Sequence, residues 1–169
     1  MSFDIWLECY RNGEPAPFKR EVFESIFLPF CTNRNEYERK PDFMQVEFPD
    51  GGGADIYMSN LKSDVLEAAS KKAGGLVPPE EIGEVLKKAK GDPAFIQHMT
   101  FNHCGGDAFS EGMYALAQRT GSIISWPDDD PIFVYTDETV LKELPDYYTE
   151  MRKRLVRNGA DIGEAIRTS

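Results

Sequence analysis

From Ser2 to Tyr10 the side chains alternate: Phe3, Ile5, Leu7 and Cys9 on one side, Asp4, Trp6, Glu8 and Tyr10 on the other. That period of two is the signature of a β-strand with one face buried, and it excludes a helix for the opening segment. The same alternation returns in Met44, Val46 and Phe48 and again in Ala54, Ile56 and Met58. Between those two runs lies Pro49-Asp50-Gly51-Gly52-Gly53, a turn sequence that predicts a β-hairpin. The triple glycine is no phosphate cradle, because neither a helix nor a Lys-Ser/Thr pair follows it.

Helical spacing interleaves with these strands. Val22, Phe23, Ile26, Phe27 and Phe30 mark a short buried helix that stops near Pro29, and Thr32 to Asp42 is expected to be a solvent loop. Residues 61–91 carry two apolar stripes, Leu61, Val65, Leu66, Ala69 and Ile82, Val85, Leu86, Ala89, separated by Gly74-Gly75 and Pro78-Pro79. They predict a helical pair, either an insertion between sheet strands or a partner-binding arm. Asp64 with Glu67 fits a capping box, and Pro79 before Glu80 and Glu81 fits a helix start.

Phe95 to Thr120 concentrates the chemistry. A strand-like run, Phe95 to Phe101, breaks at Asn102-His103-Cys104-Gly105-Gly106 and enters an amphipathic helix at Asp107, which buries Phe109, Met113, Leu116 and Ala117 and stops at Thr120-Gly121. Strands at Ser122–Trp126 and Ile132–Tyr135 flank the Asp128-Asp129-Asp130 turn. The remainder, with Leu144, Tyr148, Met151 and Leu155 and then Asp161 to Ile166, reads as helical. Five or six short strands with helices between them predict a single α+β domain over residues 1–169, a mainly antiparallel sheet with helices packed on one side.

Composition bounds the function. The chain has 169 residues, 41% apolar and 28% charged, values of a globular domain able to bury its own core. Cys9, Cys31 and Cys104 are odd in number and widely spaced, and Cys9 sits on an apolar strand face, so they are expected as reduced thiols of a cytoplasmic protein. No apolar run approaches the ~18 residues of a membrane span. The net charge is -10; residues 142–169 hold 6 basic and 5 acidic side chains, so the acidity belongs to the body. Such a surface repels phosphate backbones, disfavours nucleic acid and attracts cationic partners.

Cys104 is the candidate nucleophile: it precedes a helix N-terminus, whose dipole lowers a thiol pKa, with His103 adjacent and His98 the other available imidazole. Asp107 is expected as that helix's N-cap. Gly105-Gly106 could present free amides to an anion. His98, His103, Cys104 and an acid supply metal-ligand types, but their spacing matches no zinc pattern and five positions along a regular strand put the histidines on opposite faces; no metal or cofactor is expected. Asp128, Asp129 and Asp130 lack EF-hand spacing and read as a solvated turn or a contact surface for a cation. Trp6 and Tyr10 either lie under a covering element or form an exposed aromatic patch.

The markers Met1-Ser-Phe-Asp-Ile-Trp-Leu7, Asn12-Gly-Glu14, Phe48-Pro-Asp-Gly51, Gly105-Gly-Asp-Ala-Phe109, Thr120-Gly121 and Trp126-Pro127 run nearly the whole chain. By them the chain resembles an uncharacterised group of small bacterial cytosolic proteins. In size, acidity and mixed architecture it is more loosely similar to the immunity proteins that neutralise polymorphic toxins. That resemblance implies a non-catalytic inhibitor of a basic toxin or effector; from the residues, the acidic surface expected to capture it is Asp128, Asp129, Asp130 and Trp126, with Asp50 and Asp55. A small thiol enzyme using Cys104 with His103 or His98, and a homo-oligomeric structural or regulatory domain, are the alternatives.

Overall fold

The computed structural model describes residues 4–169; Met1, Ser2 and Phe3, the last assigned above to the first strand, lie outside the described residues, as does the Ser63 side chain. In chain order the elements are β1 (Ile5–Arg11), β2 (Glu14–Pro15), β3 (Phe18–Lys19), α1 (Arg20–Phe27), α2 (Arg34–Arg39), β4 (Phe43–Glu47), β5 (Gly53–Ser59), α3 (Ser63–Lys72), α4 (Pro79–Ala89), β6 (Phe95–Ile96), β7 (His98–Gly105), α5 (Asp107–Thr120), β8 (Ser122–Trp126), β9 (Ile132–Tyr135), β10 (Arg152–Leu155) and α6 (Gly159–Thr168). Two 3-10 stretches, Glu138–Glu143 and Asp146–Glu150, lie between β9 and β10.

The architecture is α+β with a mainly antiparallel sheet. Its order is β10-β9-β8-β1-β7-β5-β4, with β2 hairpinned onto β1, and the β9–β10 pair is parallel. The main sheet has eight strands where the alternation predicts five or six. β10 forms in a segment expected to be helical, and its Arg152-Lys-Arg-Leu155 carries no apolar alternation, as befits an edge strand that must resist further pairing. The β1–β2 turn fits its residues: Asn12 (φ 51) and Gly13 (φ 79) supply the two positive φ values of a tight hairpin.

One face of the sheet is the core. Ile5, Leu7, Met44, Ile56, Met99, Phe101 and Ile124 point into it and are buried beneath Phe23 and Phe27 of α1, Phe109, Met113 and Leu116 of α5, and Ile162 of α6. α5 is central: it enters from Gly106 (φ 98) and closes on left-handed Gly121 (φ 64). Among the described residues, the opposite face is covered at one end. There Tyr10, Ile123, Phe133 and Tyr135 pack against Val140 and Tyr148 of the 3-10 stretches.

Several expectations are corrected. The 32–42 segment is not all loop, since α2 forms there and buries Tyr37, whose hydroxyl donates to Glu24 Oε1 at 2.7 Å. The 144–155 segment is not helical: Pro145 has no N–H and holds Leu144 extended (φ -78, ψ 148), so the helical spacing of Leu144, Tyr148 and Met151 is met by short 3-10 turns and Leu155 falls in β10. α3 begins at Ser63 with Lys62 at its N-cap, so Asp64 and Glu67 form no capping box. β5 and β7 are direct antiparallel neighbours, and the α3–α4 pair is a long insertion in their connection, closed at its base by the Leu61–Lys90 bridge.

Candidate functional site

On the uncovered part of the second face, alternation places Phe43, Gln45 and Glu47 of β4, Asp55, Tyr57 and Ser59 of β5, His98, Thr100 and Asn102 of β7, and Trp6 and Glu8 of β1, with Asp4 just ahead of them. None of these described positions carries a lysine or arginine. Tyr57 is exposed and its ring lies 4.8 Å from that of Phe43. Aromatic and acidic side chains are therefore interleaved on an open sheet surface.

At the edge of this surface runs a connected polar network. Glu8 and His98 are directly opposed across β1 and β7, which brings His98 Nδ1 within 3.3 Å of Glu8 Oε1. His98 Nε2 lies 3.2 Å from Thr100 Oγ1, one position along the same face. The other Glu8 oxygen accepts from the Tyr148 hydroxyl at 2.9 Å. Tyr10 lies 3.2 Å from Tyr148 and 3.1 Å from Tyr147, oxygen to oxygen. Each phenol has a single hydrogen, so once Tyr148 donates to Glu8 the chain is directed from Tyr147 to Tyr10 to Tyr148. Burial pushes the Glu8 carboxyl up, but the hydrogen bonds from His98 and Tyr148 outweigh it and hold Glu8 below the ordinary glutamate value. Burial, then the bond with Tyr10 and the charge of Glu8, push the Tyr148 phenol up, so it remains a neutral donor.

The histidines share this side of the sheet, contrary to the spacing argument. β7 does not end at Phe101. It continues to Gly105 through a bulge, where register slips between Asp55↔Asn102 and Gly53↔Gly105 and His103 adopts φ 49. The extra residue cancels the alternation: His103 swings to Asp55, Nδ1 to Oδ2 at 3.1 Å, and Gln45 Nε2 donates to Asp55 Oδ1 at 2.9 Å. Cys104 is thereby returned to the core side.

That displacement gives the thiol and each imidazole contacts of their own. Cys104 Sγ contacts Phe101 O at 3.8 Å, while His103 is held by Asp55 and His98 by Glu8 and Thr100. The helix dipole does not win at Cys104; desolvation by burial raises its thiol to about 11. A cleft of about 370 Å³ opens beside it, lined by both His103 and Cys104 and by Phe109, Ser110, Ile166 and Arg167. Among the described residues, no group of three or more His, Cys, Asp and Glu side chains is gathered as a metal site requires.

The amides at the start of α5 are already engaged. Asp50, not Asp107, caps this helix: its Oδ2 accepts from Ala108 N at 2.9 Å and its Oδ1 from Gly52 N at 2.9 Å. The backbone bonds of Ala108 and Gly52 hold the Asp50 carboxyl below its ordinary value. Gly106 is the N-cap, and the hairpin turn thus ties β4–β5 to α5.

The acidic turn is also partly satisfied internally. Asp128 Oδ2 meets Arg152 Nη2 at 3.1 Å and Asp130 Oδ2 meets Arg152 Nε at 2.8 Å, while Asp129 is exposed. Trp126 is only 3% exposed and its indole N–H donates to Ser169 Oγ at 2.9 Å. Of the residues selected from sequence for partner contact, Asp55 stands on the open face, Asp50 is a cap, Trp126 is buried and the aspartate turn lies at the sheet's far margin. Glu8, Thr100, Tyr57 and Tyr148 were missed. Alternation had put Glu8 beside Trp6 and Tyr10, but nothing in the sequence says which strand faces it.

Among the described residues no helix is long and apolar enough to cross a membrane. No family model, curated protein or solved structure matches the chain.

Proposed function

We propose that this chain is a non-catalytic binding protein of the immunity type, which captures a basic segment of a toxin or effector protein on the open face of its sheet. The observation that supports this is the charge pattern of that face: Asp4, Glu8, Glu47 and Asp55 interleaved with Trp6, Phe43 and Tyr57, and no lysine or arginine at the described strand positions between them. A formal charge of -10 steers a cationic partner toward it and opposes self-association through the same surface. The reading includes a cytosolic location, in which Cys9, Cys31 and Cys104 are free thiols.

Size sets a condition on the partner. Four strands ~4.8 Å apart and about 20 Å long present roughly 400 Å² in projection, half of the ~800 Å² per side of a standard interface. The partner must therefore also touch the rim, where the Asp146–Glu150 stretch exposes Tyr147. The thiol reading draws no comparable support, because each imidazole is hydrogen-bonded to a group other than Cys104 and burial raises the thiol.

The test is a pull-down from the source cells at ~50 and ~200 mM salt with three baits: the wild type, a variant carrying Asp4→Asn, Glu47→Gln and Asp55→Asn, and a variant carrying Asp128→Asn and Asp130→Asn. The expected result is a basic chain retained by the wild type, weakened by salt, lost from the face variant and kept by the turn variant. Undiminished retention by the face variant would refute the assignment of the surface.

A further inference from the structure

Where the open face meets the covered end, a cleft of about 250 Å³ lies between β1, the start of the Asp128 turn and the Asp146–Glu150 stretch. Its aromatic walls are Trp6, Tyr147 and Tyr148, with Glu8 and Asp128 supplying carboxylates; Trp126 borders it only from the core side of β8, and among the described residues no lysine or arginine lines it. We propose that this cleft receives the cationic end of one lysine or arginine side chain of the partner, a reading that rests on the binding function above.

The chemistry is specific to an organic cation. Rings of tryptophan and tyrosine present electron-rich faces to an ammonium or guanidinium group within ~6 Å. A carboxylate beside the rings supplies the counter-charge. Glu8 is suited to this: its side chain is 28% exposed, one oxygen takes His98 and the other takes Tyr148, and a carboxylate has about four acceptor positions, so capacity remains on both. Asp128 contributes less, because Arg152 already holds it. The rings are fixed in place. Tyr148 is 6% exposed, its ring lies 4.6 Å from that of Tyr147, and the Tyr147 hydroxyl is bonded to Tyr10. Tyr147 itself is 63% exposed, so its ring is open to a partner side chain. The volume lies below the ~300 Å³ of ordinary small-molecule sites, and so suits one extended side chain.

The experiment needs no partner protein. The full chain, labelled with 15N, is titrated with N-acetyl-arginine amide, N-acetyl-lysine amide, the neutral N-acetyl-citrulline amide and tetramethylammonium, following the indole N–H signal of Trp6. Saturable shifts with the arginine or lysine probe are expected, with the citrulline probe at least tenfold weaker. Tyr147→Ala, a change at an exposed position that leaves the fold intact, should weaken the charged probe by about two- to fivefold. An equal response to citrulline, no saturation by ~100 mM, or an unchanged affinity in that variant would overturn the proposal. A preference for tetramethylammonium would also overturn it, in favour of a free quaternary ammonium ligand. Because the probes act without the partner, their failure leaves the pull-down result standing, and a failed pull-down leaves the titration standing.

Discussion

Tyr148→Phe isolates the bond that joins the 3-10 stretch to the sheet. The phenol is 6% exposed and donates to Glu8 Oε2 at 2.9 Å, so the substitution removes a hydrogen bond to an ionised group while keeping the ring. Such bonds contribute about 1.5–3 kcal/mol net. Here the lower end applies, about 1.5 kcal/mol, because Glu8 keeps His98 and is 28% exposed to water, and Tyr10 keeps Tyr147. For a chain of 169 residues that corresponds to a fall in Tm of roughly 3–6 °C. Tyr147→Phe, at a 63% exposed ring, should change stability by less than ~0.5 kcal/mol. The sign with pH follows from Glu8. Its folded-state pKa is depressed, so its contribution is complete above its unfolded value and is lost as pH falls through the folded value. The gap between wild type and Tyr148→Phe should therefore narrow on acidification and stay level above neutrality. Urea unfolding at several pH values, with a double-mutant cycle against Glu8→Gln, reads all of this. A Tyr148→Phe loss no larger than that of Tyr147→Phe, or zero coupling to Glu8, would refute the network as a source of stability.

Two further outcomes are expected. With its thiol raised to about 11, Cys104 holds only about one thiolate in a thousand at pH 8, so alkylation of the folded chain should be slow there and become fast only on unfolding, as mass spectrometry of timed iodoacetamide reactions would show. Replacing residues 63–89 by a short glycine-serine turn should leave the sheet folded, because β5 and β7 pair directly and the Leu61–Lys90 bridge closes the insertion; a loss of cooperative unfolding in that variant would show that the helical pair supports the core.

For β1, β4, β5 and α5 the sequence by itself determined the element and its apolar side, because burial of one face imposes a period of two on the strands and a period near 3.6 on the helix. It also determined the β4–β5 hairpin, whose turn Pro49-Asp50-Gly51-Gly52-Gly53 interrupts the alternation and takes a positive φ at Gly51. What it left open is every relation between segments distant in the chain. Glu8 meets His98 because β1 pairs with β7, and Tyr148 reaches Glu8 from 140 residues away. The bulge at His103 had no local signal, yet one extra residue exchanged the faces of His103 and Cys104, bringing His103 to the side of His98 and turning Cys104 toward the core. Asp50 likewise reads as a turn residue, and only the docking of the β4–β5 hairpin on α5 makes it a cap. Periodicity is a property of one segment and its solvent exposure, whereas pairing, register and capping depend on which surfaces fit in three dimensions, and those the tertiary structure alone decided.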